Sequence, residues 1–242
     1  MKYKKIGDIL ILDNNYSNNN FKELSEKHKV KTIMKINHIQ GNKREPVYKI
    51  LHGNETETIH KENGCLFKLD LTKVMWSKGN NNERLRIAKL VKDNETVIDM
   101  FAGIGYFSIP IGVHANAKEV IAIEINPNSY KFLCENVKLN NLNNINPVLG
   151  DCKVVTPKFK ADRIIMGYVK TTHHYLKVAI DSLNEGGILH YHETVPEKLM
   201  ETRPIDRIVS EANGRDVELL KINKIKKYAP GVEHVVIDAR IF

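Results

Sequence analysis

Cysteine and tryptophan are nearly missing from this chain of 242 residues, which has three of the first and one of the second. Cys65, Cys134 and Cys152 are odd in number and widely spaced, with no Cys-x-x-Cys or Cys/His ligand spacing. That excludes a disulfide framework, gives no support to a zinc site, and leaves no metal to be expected. No apolar run approaches the roughly 20 residues of a membrane span. The N-terminus starts basic, but Asp8 interrupts its very short apolar run, so no signal peptide is expected and a cytoplasmic protein is. A Gly-Lys-Ser/Thr phosphate loop is also absent. Positive charge, by contrast, is in excess, at a formal +8. Such an excess favours a polyanionic partner, most simply nucleic acid, although an AT-rich genome enriches Lys, Asn and Ile without any such purpose.

Residues 1–72 differ in character from residues 73–242 and are expected to form a small α+β domain. Short apolar runs at 6–12, 32–36, 48–51 and 65–71 predict strands, and Phe21 to His28 predicts a helix. Lys27, Lys29, Lys31, Lys35, Lys43, Arg44 and Lys49 would line an RNA backbone or simply form a solvated face. From Glu83 onward strand and helix patterns alternate, the signature of a parallel sheet. Strands are expected at 96–102, 119–125, 145–150, 162–168 and 187–195, and helices at 83–92, 106–114, 128–140, 172–183 and 204–213. Two further strands, near 217–227 and 234–241, have no helix between them and so form an antiparallel hairpin. An α/β, Rossmann-like sheet ending in such a hairpin resembles the class I S-adenosylmethionine-dependent transferase fold.

The residues richest in chemistry run Val97-Ile98-Asp99-Met100-Phe101-Ala102-Gly103-Ile104-Gly105-Tyr106-Phe107, then Val120-Ile121-Ala122-Ile123-Glu124-Ile125-Asn126-Pro127. A β-branched run enters a Gly-x-Gly turn, and the next run ends in a carboxylate suited to the two hydroxyls of a ribose. The third glycine that a dinucleotide pyrophosphate needs is replaced by Ser108, so a nucleoside without phosphates fits better. Glu124 is assigned to the ribose and Asp151, ending the third strand, to an adenine amino group. Both would otherwise cap the helices that follow. Asp99, Phe101, Gly103, Gly105, Ile125, Cys152 and Gly167 complete the expected cofactor wall.

Val74-Met75-Trp76-Ser77-Lys78-Gly79 and Asn80-Asn81-Asn82-Glu83-Arg84-Leu85-Arg86 precede that motif. Together with Val113-His114-Ala115-Asn116-Ala117 and Gly186-Gly187-Ile188-Leu189-His190-Tyr191-His192, they resemble the aminocarboxypropyltransferases of wybutosine biosynthesis. That family is related to the tRNA guanosine-37 N1-methyltransferases. The resemblance implies an enzyme of tRNA processing and modification that uses S-adenosylmethionine as co-substrate. The acceptor would be the tricyclic wybutosine-precursor base in the anticodon loop of tRNA-Phe, and 5′-methylthioadenosine would be released. It further implies a monomer that is cytoplasmic and binds no membrane. The methyltransferase branch carries an Asn-Leu-Pro loop after the fourth strand and Ser-Pro-Arg before the first helix. This chain has Met166-Gly167-Tyr168-Val169 and Ser77-Lys78-Gly79 there, so N1-methylation is the alternative, and an RNA-binding module without turnover a third.

Ser77 and Arg84 are assigned to the carboxylate of the methionine arm, Arg84 as the charge-assisted donor, unless it is an ordinary helix-surface arginine. Trp76 would wall the pocket or belong to the core. His190, His192 and Glu193 close the fifth strand, the first two on one face and Glu193 on the other. His192 is the candidate general base, set against contact with RNA or a satisfied core histidine. His173-His174 are expected to touch RNA, and Cys152 to line the pocket without acting as a nucleophile.

Overall fold

Gly7, at φ +53°, turns the first apolar run back on itself, so that two strands stand where one was expected. The computed structural model describes residues 3–17, 19–41, 45–76, 78–169 and 171–242. β1 (Tyr3–Ile6) and β2 (Ile9–Leu12) are followed by α1 (Phe21–His28), β3 (Thr32–Gln40) and β4 (Glu45–His52). The four strands form a sheet in the order β1-β2-β3-β4. β5 (Glu57–Glu62), which the sequence did not announce, pairs with β6 (Cys65–Asp70) in a hairpin. Its turn is Asn63-Gly64, both at positive φ, as a two-residue hairpin turn requires.

The remaining chain alternates as the sequence predicted. It runs through α2 (Asn81–Leu90), β7 (Thr96–Asp99), α3 (Ser108–His114), β8 (Glu119–Glu124), α4 (Pro127–Leu139) and β9 (Ile145–Leu149). Then come α5 (Cys152–Val155), β10 (Ala161–Met166), α6 (Leu176–Ser182), β11 (Leu183–Pro196), α7 (Arg203–Glu211), β12 (Val217–Ala229) and β13 (Val232–Ile241). The expected helix at 172–183 is a 3-10 turn, Thr172–Tyr175, followed by the shorter α6, and β11 starts at Leu183 rather than at 187. The seven-stranded order is β12-β13-β11-β10-β7-β8-β9. β9, β8, β7, β10 and β11 are parallel, whereas β13 runs antiparallel to both β11 and β12. This reversal places the β12–β13 turn, and the residues beside it, at the carboxyl edge of the parallel strands, where doubly wound sheets bind ligands.

The junction expected at residue 72 runs through packed interior. Cys65, Phe67 and Leu69 of β6 share one apolar cluster with Ile6, Ile9 and Met34 on one side and Val74, Ile87, Ile104 and Phe132 on the other. Polar bonds reinforce the seam. Asn136 of α4 accepts from the Lys68 N–H and donates to the Lys68 carbonyl, and Asn140 does the same for Leu66. Among the described residues no helix is long and apolar enough to cross a membrane.

Candidate active site

The Gly-x-Gly loop is shaped by one carboxylate. Glu124, at the end of β8, accepts the Gly103 N–H at 2.7 Å with one oxygen and the Asn126 N–H at 2.7 Å with the other. Burial raises its pKa, and these backbone donors oppose the rise by favouring the carboxylate. Gly103 sits at φ +60°, and a Cβ there would fall 2.5 Å from the Tyr106 ring. Only glycine gives that turn and leaves the backbone open to a ligand.

Above the loop lies a cavity of about 410 Å³ at the carboxyl edge of the sheet. Glu124, Ile125, Ser129 and Asp151 line it, together with Phe101, Gly103 and Gly167. Ile125 is half exposed, an apolar platform beside the two carboxylates. Asp151 also caps α5 by accepting the Lys153 N–H at 2.9 Å, so one residue both caps a helix and lines the cavity. Phe101 stacks on Tyr168 at 5.3 Å between centroids and meets Tyr175 edge-on at 5.1 Å.

Arg84 lines the far wall and is only 2% exposed, so it is not a surface arginine. Its Nη1 donates to Glu62 Oε1 at 2.6 Å, and its guanidinium lies over the rings of Trp76 (4.6 Å) and Tyr106 (5.0 Å). The Tyr106 hydroxyl donates to the Met75 carbonyl. Trp76 stands behind this wall, packed on His60, Phe67 and Tyr106, and is not among the lining residues. Ser77, Lys43 and Arg44 lie outside the described residues.

Several expected contacts sit one layer back. Asp99 is fully buried behind the loop, where it accepts the Ser108 hydroxyl at 2.8 Å and the Phe101 N–H at 3.3 Å. Burial pushes its pKa up to about 6 against those hydrogen bonds. Gly105 serves packing, since a Cβ there would meet Ile109 at 2.5 Å. Cys152 is buried beside Asp151, its thiol pushed up to about 12, so it neither lines the cavity nor supplies a thiolate.

The assignment of His190 and Glu193 to catalysis is corrected by their partners. Arg163 can only donate, so His190 Nε2 must accept from its Nη1 at 2.7 Å. Nδ1 therefore carries the hydrogen and donates to Asp238 at 2.6 Å. A fully buried, neutral histidine with both nitrogens engaged has no site left for a proton. Asp238 also holds Arg86 and Asn223, and Arg86 pairs with Glu83, so the network ties α2 to β11 and the terminal hairpin. Glu193, on the opposite face, accepts from Tyr191, Arg203 and Arg207. His192 is buried too, edge-on to Phe107 and 3.1 Å from His234. His173 and His174 lie ring against ring, tilted, with centroids 4.0 Å apart, and are not among the lining residues.

Motif reading missed the hairpin's share of the site. Lys226 and Tyr228 near the end of β12 and His234 near the start of β13 line the cavity too, brought to it by the turn between these antiparallel strands. The signal was available only through topology: two terminal strands with no helix between them must return to the ligand edge. Of the basic residues expected to follow RNA, Lys31 is paired with Asp8 and Glu55, and Lys35 is bonded to the Asn14 carbonyl.

Sheet order, glycine turn and acidic strand ends together define a class I S-adenosylmethionine-dependent transferase. The family described as the TRM5/TYW2 methyltransferase domain matches residues 58–220, and the chain belongs to that family. It is 51% identical to the tRNA(Phe) (4-demethylwyosine(37)-C(7)) aminocarboxypropyltransferase of Methanocaldococcus jannaschii, over 99% of this chain and 98% of that protein. The crystal structure of M. jannaschii TYW2 in complex with AdoMet superposes with a TM-score of 0.83 at 47% identity, covering 99% of both chains. That of P. horikoshii TYW2 in complex with MeSAdo gives 0.87 at 42%, covering 99% of this chain and 90% of the other.

Proposed function

We infer that the chain is a tRNA-modifying transferase that uses S-adenosylmethionine as an aminocarboxypropyl donor. It moves the 3-amino-3-carboxypropyl group to a carbon of the tricyclic wybutosine precursor at position 37 of tRNA-Phe and releases 5′-methylthioadenosine. The observation that carries this is identity of 51% along nearly the whole length of a relative with that activity. MeSAdo, bound in the P. horikoshii relative, is the nucleoside left once the aminocarboxypropyl group has gone.

The cavity fits the co-substrate. Gly103 leaves the open backbone a nucleoside needs, and Glu124 and Asp151 offer acceptors to the ribose hydroxyls and the adenine amino group. The methionine arm would run toward Met75, Arg84 and Tyr106, with Arg84 aimed at its carboxylate. When bound, the sulfonium activates three carbons, and placement decides which one meets the nucleophile. Phe101, Tyr106, Phe107 and Tyr168 also line the cavity, and aromatic rings there favour a cation. Gly167 bears on the choice of chemistry. A Cβ there would lie 2.6 Å from the Phe107 ring, so the loop has no room for the asparagine of the methyltransferase branch unless Phe107 moves. Tyr228, at the cavity mouth, offers a face on which a flipped-out base can stack. A cytoplasmic monomer acting on the anticodon loop completes this reading.

Acceptor choice is tested with S-adenosylmethionine labelled in the aminocarboxypropyl carbons. Label should enter tRNA-Phe bearing the tricyclic precursor and not the same tRNA with guanosine at position 37. Label in the guanosine tRNA, or none in the precursor-bearing tRNA, would overturn the assignment.

A further inference from the structure

We propose that His234 is the group that takes the proton from the acceptor carbon, and that His192 is the positioning residue that keeps its cavity-side nitrogen unprotonated. The proposal rests on the aminocarboxypropyl-transfer reading above. His234 lies near the start of β13, so the antiparallel strand delivers it to the carboxyl edge of the sheet, and it lines the cavity. It is 2% exposed, and its Nε2 is 3.1 Å from His192 Nδ1. Its Nδ1 has no hydrogen-bond partner among the described residues and is the nitrogen left to a bound acceptor.

One hydrogen lies between the two rings, and we assign it to His234 Nε2. If His234 Nε2–H donates to His192 Nδ1, then His234 Nδ1 carries a free lone pair and His192 Nε2 carries its own hydrogen. That Nε2 is buried without a partner among the described residues, wedged where the ring meets Phe107 edge-on. Lys226 is the cross-strand neighbour of His234. Burial, and then this ammonium, lower the His234 pKa to about 4, which keeps the imidazole neutral near pH 7.

A weak base is enough for the step. The ring carbon supplies an electron pair to the Cγ of the methionine arm, forming the C–C bond. The Cγ–S bond breaks, and its pair returns to sulfur as a neutral thioether. The tricyclic ring is then cationic, with its C–H strongly acidified. His234 Nδ1 takes the proton, and the C–H pair restores the aromatic ring. No oxidant or further reactant is needed. The residues that resemble a histidine base by motif, His190 and His192, are the ones whose surroundings deny them the substrate.

His234→Gln keeps an amide at the Nε2 position but removes the nitrogen at Nδ1. Single-turnover loss of the acceptor-carbon hydrogen to solvent should fall ~10²-fold, in the range for loss of a positioned base, with affinity for methylthioadenosine within about twofold of the parent. Deuterium at the acceptor carbon should then slow the variant several-fold more than it slows the parent. His192→Asn, whose oxygen can still accept from His234, should retain more of the rate than His192→Leu. In the unaltered protein, the ¹⁵N spectrum of the histidines should show His234 with its hydrogen on Nε2. That spectrum needs no variant to fold. A hydrogen on Nδ1, or His234→Gln turnover within threefold of the parent without an isotope effect, would overturn the proposal. Release of S-adenosylhomocysteine by the parent would instead sink the transfer reading itself.

Discussion

Glu124 has two duties that a substitution can separate. Its carboxylate closes the Gly103 turn and also presents lone pairs to the cavity. Glu124→Gln keeps one acceptor for a backbone N–H, whereas Glu124→Ala orphans both. Charge-assisted bonds are worth about 1.5–3 kcal/mol each, so calorimetry should show S-adenosylmethionine binding ~10-fold weaker for Gln and ~100-fold weaker for Ala. Unchanged affinity in both would remove Glu124 from the site. Arg84 is a different case, because Glu62 shares its charge inside the wall. Arg84→Ala leaves the buried Glu62 carboxylate, among the described residues, with only His60, 4.0 Å away, and should cost about 3–5 kcal/mol in urea unfolding. Adding Glu62→Gln should recover most of that stability but not turnover. If turnover also returned, Arg84 would be structural only. Glu124, Gly103, Ile125 and Asp151 were legible as cavity residues because a strand-turn-helix fixes where their side chains go. Asp99 and Gly105 belong to the same motif and Cys152 follows Asp151, yet strand alternation and helix packing turn them inward, which spacing alone does not reveal.

Between elements, the seam of β6 and α4 holds the Gly-x-Gly loop as well as the hairpin of β5 and β6. Asn136 is fully buried, and besides the Lys68 backbone it donates to the Ile104 carbonyl inside the Gly-x-Gly loop. Asn136→Leu strands three backbone groups. It should destabilise the protein by about 2–4 kcal/mol and weaken cofactor binding several-fold, as read by melting and calorimetry. A loss of stability with full affinity would show that the loop is held by other contacts. The parallel strands and their helices were legible from alternating apolar runs. β5 was not, because Glu57-Thr58-Ile59-His60-Lys61-Glu62 buries only Thr58 and Glu62, and a polar inward face carries no hydrophobic signal. The turn at Gly7 was hidden in the same way, inside an unbroken apolar run. The hairpin was read as a fold marker, while its contribution to the cavity required knowing that β13 inserts between β11 and β12.

Across the whole molecule, buried neutral histidines tie stability to pH. His190, His192 and His234 are all held below the ordinary histidine pKa by burial, His234 at about 4. A depressed folded-state pKa means the unfolded chain binds the proton first. The contribution is therefore complete above pH 6.5 and is lost as pH falls toward 4. Asp99, raised to about 6, acts in the opposite sense over part of that window, so the comparison belongs between variants. His234→Gln should flatten the stability curve between pH 6.5 and 4 by about 1.4 kcal/mol per pH unit, measured by urea unfolding. A parallel pair of curves would mean that His234 is not buried neutral. Overall charge was legible as a nucleic-acid partner, but which lysines serve it was not, since Lys31 is engaged by Asp8 and Lys35 by the Asn14 carbonyl.

Chromatography of the spent co-substrate, after incubation with precursor-bearing tRNA-Phe, tests the central claim most directly. Methylthioadenosine, in amounts matching the tRNA modified, is the predicted product. S-adenosylhomocysteine would contradict it, placing the chain in the methyltransferase branch and making the packing of Phe107 against Gly167 irrelevant to the chemistry.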